Sequence, residues 1–219
     1  MDTMGIFNNG AITVMEKPTT ILLVRHGETD FNRDGIIQGH IDIPLNDRGR
    51  DKTVLLRGAL DGRPVDALYA SPLKRALETA RILSDGMTHT VKELPGLMEF
   101  NFGKWEGRVF TDIIAEYPEE WRTWKERWRE AEIPGGETFA AFTSRVLAAL
   151  NEILEAHAGK TVLVATHGGP IRAILAHCIC GDCVEGYWKF QIDNSSLTEL
   201  EFHPYGAVLK KFNYRPVVT

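Results

Sequence analysis

Residues Ile21-Leu22-Leu23-Val24-Arg25-His26-Gly27-Glu28-Thr29 decide the fold. Four consecutive apolar residues make the kind of run that forms a strand buried on both faces of a parallel sheet. The run then breaks abruptly into Arg25-His26. In an open parallel sheet, ligands bind beyond the carboxyl ends of the strands, so this pair stands where chemistry is expected. Gly27 lets the backbone turn there and leaves room for a substrate to approach. Two further runs share the layout. Ala67-Leu68-Tyr69-Ala70 precedes Ser71-Pro72-Leu73-Lys74-Arg75, and Thr161-Val162-Leu163-Val164-Ala165 leads into Thr166-His167-Gly168-Gly169.

Helical patterns lie between and after the three strands. Leu73, Ala76, Leu77, Ala80 and Leu83 recur at helical spacing, as do Phe139, Phe142, Val146, Leu150 and Ile153, and then Ile171, Ile174, Leu175 and Cys178. Alternating strand and helix predicts a three-layer α/β/α sandwich around a mainly parallel sheet. Leu197–Phe202 and Val208–Phe212, joined across Pro204-Tyr205-Gly206, read as a closing pair of strands. A small helical insertion, about 105–136, is interrupted at Pro118, which suits the first turn of a second helix. Its Trp121, Trp124 and Trp128 share one face. That face either packs the insertion onto the core or hangs partly over the active site, shaping a pocket for an apolar or aromatic leaving group. Residues 1–19 show no periodicity and read as an extension of unassigned role, and 20–219 as one catalytic domain.

The 219 residues carry 25 Lys+Arg against 30 Asp+Glu, a formal net charge of -5. That balance opposes polyanions, so neither nucleic acid nor an anionic membrane is an expected partner. No apolar run is long enough for a membrane helix and the N-terminus does not read as a signal peptide, which points to the cytoplasm. Cys178, Cys180 and Cys183 are odd in number and crowded, a poor disulfide framework; with His177 they could form an incomplete zinc cluster, but small apolar packing is the better reading.

Three strand ends thus bring Arg25, His26, Arg75 and His167 to one rim, with Gly168 opening a helix whose free N–H groups can receive an anion. Cationic groups gathered in an acidic protein need a reason. A phosphoryl group supplies one, because its oxygens suit planar, bidentate guanidinium groups. Neutral imidazole is also a competent nucleophile near pH 7.

These segments, taken in order with Glu99 in Met98-Glu99-Phe100-Asn101-Phe102-Gly103-Lys104-Trp105-Glu106-Gly107, resemble the histidine phosphatase superfamily, also called phosphoglycerate mutase-like, from about residue 20 to 203. The resemblance implies a phosphohistidine on His26 and a phosphate pocket from Arg25, Arg75 and His167, with Asn32 and Gln38 at further pocket positions. It also implies a proton donor at Glu99 and no metal or cofactor. Glu99 sits in a locally apolar stretch, where partial desolvation and a nearby phosphate would hold it protonated until transfer. His40, His89, His157 and His203 lie outside the motif positions and read as surface or capping residues. Gly135-Gly136-Glu137-Thr138 reads as the turn that starts the long helix, although in phosphatase members of the family a similar segment lies close to the active site.

The short segment between Glu99 and Gly135 is more similar to the phosphatase branch, including broad-specificity and α-ribazole phosphatases, than to cofactor-dependent mutases, which carry a longer, more basic insertion there. Phosphoglycerate mutase activity is the nearest alternative. An inactive phospholigand-binding protein and a zinc-binding interaction module are alternatives from other classes. The expected partner is a small phosphomonoester. Oligomeric state stays open, a homodimer being one option.

Overall fold

The computed structural model describes residues 17–60 and 62–216. The first 16 residues of the expected N-terminal extension lie outside the described residues. Six strands form one sheet: β1 (Thr19–Arg25), β2 (Ala67–Ala70), β3 (Val91–Glu93), β4 (Thr161–Thr166), β5 (Leu197–His203) and β6 (Gly206–Tyr214). Their order is β3-β2-β4-β1-β5-β6. The first four are parallel neighbours, and β5 and β6 close one side antiparallel.

Period-2 alternation along the buried strands builds two cores. Ile21, Leu23, Tyr69, Val162 and Val164 face one cluster with Phe142, Val146, Leu150, Ile171 and Ile174. Leu22, Val24, Leu68 and Leu163 face the other, with Leu56 and Leu83. Helices α6 (Phe139–Ala156) and α7 (Gly168–Cys180) therefore cover one face of the sheet, and α2 (Asp47–Arg57) and α3 (Lys74–Leu83) the other. Each fully buried side chain of this type contributes about 1.5–3 kcal/mol relative to exposure. The same alternation explains why the strand sequences carry no polar face.

Helix α2 and strand β3 were not anticipated from the sequence. The α2 segment is mostly charged and buries only Gly49, Thr53 and Leu56, so it has no apolar stripe to read. Strand β3 is three residues at the sheet edge. The insertion holds α4 (Phe110–Glu116) and α5 (Pro118–Arg127), with Pro118 in the first turn of α5 as expected. Two four-residue helices, α1 (Asp30–Arg33) and α8 (Cys183–Gly186), complete the set of α-helices among the described residues. None of the described helices is long and apolar enough to cross a membrane.

Gly27 has a different role from the one its sequence context suggests. A Cβ there would lie 2.8 Å from the Gly49 carbonyl oxygen and 2.9 Å from Thr53 Oγ1. The missing side chain makes room for α2 to pack against the loop after β1, and not for a substrate.

Candidate active site

Strands β1, β4 and β2 are neighbours, so their carboxyl ends bring Arg25-His26, His167 and Ser71-to-Arg75 together. Arg25, His26, Asn32, Gln38, Arg75 and Glu99 all line one cavity of about 450 Å³.

His26 is buried and its amide donates to Thr166 O at 2.9 Å. Nδ1 lies 2.7 Å from the Gly27 carbonyl oxygen. A carbonyl can only accept, so Nδ1 carries the proton and Nε2 keeps its lone pair. Burial, then the charges of Arg75 and Arg25, hold the imidazole pKa well below its ordinary value. The ring is therefore neutral at pH 7.

Arg25 Nη1 donates to Ile192 O at 2.6 Å, while its Nε is buried without a partner. Trp105 Nε1 is the other such atom among the described residues. Arg75 donates Nη1 to Ile41 O (2.8 Å), Nη2 to Gly39 O (2.7 Å) and Nε to His167 Nδ1 (3.2 Å). Burial pushes its pKa down to about 10, which leaves it charged at neutral pH. Both guanidinium groups are bonded to neutral acceptors and neither is ion-paired among the described residues. Glu99, in the same cavity, is the carboxylate that most favours both charges but pairs directly with neither, so two desolvated cations are left able to take up a bound anion.

His167 follows β4 and lies beside His26 and Arg75, but its ring nitrogens face protein partners, which the sequence reading did not foresee. It is fully buried and is not among the residues lining the cavity. Nδ1 accepts from Arg75, so the proton sits on Nε2 and is donated to Ser71 Oγ at 2.8 Å. Its ring centroid is 5.0 Å from that of His26. Burial first, then Arg75, lowers its pKa well below the usual value. In this arrangement His167 holds Arg75 Nε next to the His26 ring.

The start of α7 also differs in detail. Gly168 is buried and does not line the cavity. The anion received at this helix N-terminus is Glu99: Gly169 N donates to Glu99 Oε2 at 3.2 Å, and Phe100 N to Oε1 at 2.8 Å. A Cβ on Gly169 would lie 2.0 Å from Glu99 Oε1, so only glycine permits the approach. The Glu99 carboxylate thus accepts from two backbone donors in a cavity it shares with Phe102, Trp105 and Trp124.

Asn32 and Gln38 are tied to the same loop. Thr29 donates its amide to Asn32 Oδ1 (3.2 Å) and its hydroxyl to Gln38 Oε1 (3.0 Å), leaving both side-chain amides at the cavity.

The sequence model of the histidine phosphatase superfamily (branch 1) matches residues 21–215. The chain belongs to this superfamily. It is 32% identical over 193 residues to phosphoserine phosphatase 1 of Hydrogenobacter thermophilus, covering 88% of this chain and 91% of that one. It is 33% identical over 195 residues to adenosylcobalamin/alpha-ribazole phosphatase of Escherichia coli, covering 89% and 96%. The crystal structure of the alpha-ribazole phosphatase from Shigella flexneri superposes with a TM-score of 0.84 at 32% identity, over 91% of this chain and 98% of that one. The family, the α/β class and the phosphatase assignment expected from sequence agree with these relatives.

Several residues of this histidine phosphatase site escaped the sequence reading. Asn194 Nδ2 donates to His26 O (3.1 Å) and Asn32 Oδ1 (3.2 Å), and Arg172 lines the cavity. His40 was expected at the surface or in a cap, but it donates from Nε2 to Glu99 O at 2.8 Å. Arg145 Nη2 donates to the same carbonyl at 2.7 Å, and Nη1 to Met98 O (2.7 Å) and Gly96 O (3.0 Å). Glu137 holds Arg145 through Nε (2.9 Å) and Nη2 (2.6 Å), while Thr138 caps α6. The Gly135-to-Thr138 turn therefore starts the long helix and also steadies the segment that carries Glu99. Arg145→Met should lower kcat for an alkyl phosphate about 10–100-fold by loosening that segment, and cost less with an activated aryl phosphate, which needs less proton donation. Parallel kinetics on the two esters check this; equal losses would mark Arg145 as purely structural.

The tryptophan face of the insertion divides. Trp121 packs on Trp105 and Phe110, and Trp128 on Phe139 and Tyr187. Trp124 alone of the three lines the cavity. Among the described residues no group of three or more His, Cys, Asp or Glu is placed to hold a metal; Cys178 and Cys183 are half-buried and Cys180 is exposed, all free thiols.

Proposed function

We propose that this chain hydrolyses small phosphomonoesters by two in-line displacements at His26. The observation that carries the reading is the Nε2 lone pair of His26 in a cavity where Arg25 and Arg75 make no ion pair among the described residues. In the first step Nε2 attacks phosphorus, the N–P bond forms and the ester P–O bond breaks. Glu99, which enters this step protonated, delivers its proton to the departing alcohol oxygen. In the second step water attacks phosphorus, Glu99 takes up its proton, the N–P bond breaks and inorganic phosphate leaves. The Gly27 carbonyl, accepting from Nδ1, faces the positive charge that develops on the phosphorylated ring.

Phosphoryl transfer depends on alignment and on stabilising charge over the equatorial oxygens. Arg25 and Arg75 are placed for that, with Asn32 and Gln38 as neutral donors. His167 and Ser71 fix Arg75. The compartment we infer is the cytoplasm, where three free thiols remain reduced.

A panel of phosphomonoesters that includes 3-phosphoglycerate, with and without 2,3-bisphosphoglycerate, tests the reading. The expected result is release of inorganic phosphate from several esters, through an acid-labile, base-stable phosphoenzyme. Isomerisation of 3-phosphoglycerate without phosphate release would replace hydrolysis by a mutase activity.

A further inference from the structure

The cationic groups account for the phosphoryl end of a substrate, but they form only part of the cavity wall. At about 450 Å³ the cavity is larger than a phosphoryl group needs, and it falls in the range of sites that enclose a whole small molecule. The remaining wall is dominated by Phe31, Phe102, Phe110, Trp124 and Trp188. Trp124 packs edge-on against Phe102 (5.8 Å between ring centroids) and Trp188 (6.4 Å). Trp188 and Phe110 are 52% and 50% exposed. Two large rings half in solvent are unremarkable when scattered, but here both border the same polar-floored cavity. Arg172, its Nε held by Phe190 O at 2.9 Å, lies 5.2 Å from the Trp188 ring centre and adds a planar cation to that face.

The charges on this wall are equally selective. Glu99 is its one carboxylate among the described residues, and its oxygens already accept from Phe100 and Gly169. A leaving group bearing an ammonium would meet three guanidinium groups, Arg25, Arg75 and Arg172, against that single carboxylate. A flat, uncharged ring would find aromatic faces and a guanidinium plane, both of which stack on π-systems irrespective of the ring's hydrogen-bonding pattern.

We propose that the preferred substrate is a phosphomonoester whose leaving alcohol carries a planar aromatic or heteroaromatic group and no ammonium, Trp124, Trp188 and Phe110 setting this preference. The inference rests on the phosphatase reading above.

The test compares primary-alcohol esters, so that the leaving oxygen stays similar while its cargo changes. They are ribose 5-phosphate, phosphoserine, uridine and adenosine 5′-monophosphates, and riboflavin 5′-phosphate. At least one ring-bearing ester should exceed ribose 5-phosphate in kcat/KM by about 10–100-fold, the range expected for one stacked ring, and phosphoserine should be the poorest. In Trp188→Ala and Phe110→Ala, both changed at half-exposed positions, that ratio should fall about tenfold toward one. If all three ring-bearing esters are no better than ribose 5-phosphate, or phosphoserine is the best substrate, the inference is overturned while hydrolysis stands. Hydrolysis of none overturns the phosphatase reading instead. The wall is then judged by quenching of tryptophan fluorescence: tighter binding of a ring-bearing ester than of ribose 5-phosphate supports it, and equal binding ends it.

Discussion

His26→Ala should leave a folded protein and lower kcat/KM for every phosphomonoester by about 10⁴-fold or more, because among the described residues no other imidazole lines the cavity. Phosphate release on an activated aryl ester measures the loss, and the labelled phosphoenzyme should vanish with it. Activity within about tenfold of wild type would remove His26 from the nucleophile's role. The same imidazole has a pH signature. Its pKa is held well below the ordinary value by burial and by Arg75 and Arg25, so the attacking form persists as pH drops through 6.5 and the acid limb attributable to this ring lies lower. Stability follows the same linkage. Above about pH 6.5 His26 and His167 are neutral in folded and unfolded chains alike. Below it the unfolded chain takes up protons that the fold refuses, and stability falls as pH decreases toward the folded values. For each histidine the slope approaches about 1.4 kcal/mol per pH unit. Thermal denaturation between pH 7 and 5 should show the decline, and His26→Ala should make it shallower.

The second large effect is expected at Glu99. Glu99→Gln keeps the shape and one of the two backbone contacts, its single oxygen accepting from either Phe100 or Gly169 while its amide nitrogen faces the other N–H, and it cannot donate a carboxyl proton to an alkoxide. The loss in kcat/KM, which reports the phosphorylation step, should be about 10²–10⁴-fold for an alkyl phosphate and much smaller for a p-nitrophenyl ester, whose leaving group departs without protonation. Because Glu99 also activates water in the proposed second step, the phosphoenzyme should accumulate on the aryl ester. Equal losses on both esters without accumulation would assign Glu99 a structural part only. The contrast with Arg145→Met is informative, since that change leaves the carboxyl group in place and alters only what holds its backbone.

Much of this protein was readable before any coordinates. The buried runs at 21–24, 67–70 and 161–165 all lie in parallel strands of the sheet, because a strand covered on both faces has no polar alternation to confuse the pattern. Residues following those strands fell at one rim because parallel strands share a carboxyl end. Helix α2 was hidden by its charge, and its fit to the loop after β1 depends on two glycines, Gly27 and Gly49, packed back to back.

Partners were another matter. That Arg25, His26 and Arg75 would face a common cavity followed from the order of the strand ends along the chain, and the place of Glu99 among them from the resemblance to the histidine phosphatases. That His167 would turn both ring nitrogens to Ser71 and Arg75, that Arg145 and His40 would grip the Glu99 carbonyl, and that Asn194, Arg172 and Trp188 would join the site did not. Hydrophobic periodicity is a property of consecutive residues, and it survives in the sequence as a pattern. A hydrogen bond between His40 and Glu99, or between Asn194 and His26, is set by where two remote segments come to rest, and its direction is decided by which donors and acceptors burial leaves unpaired.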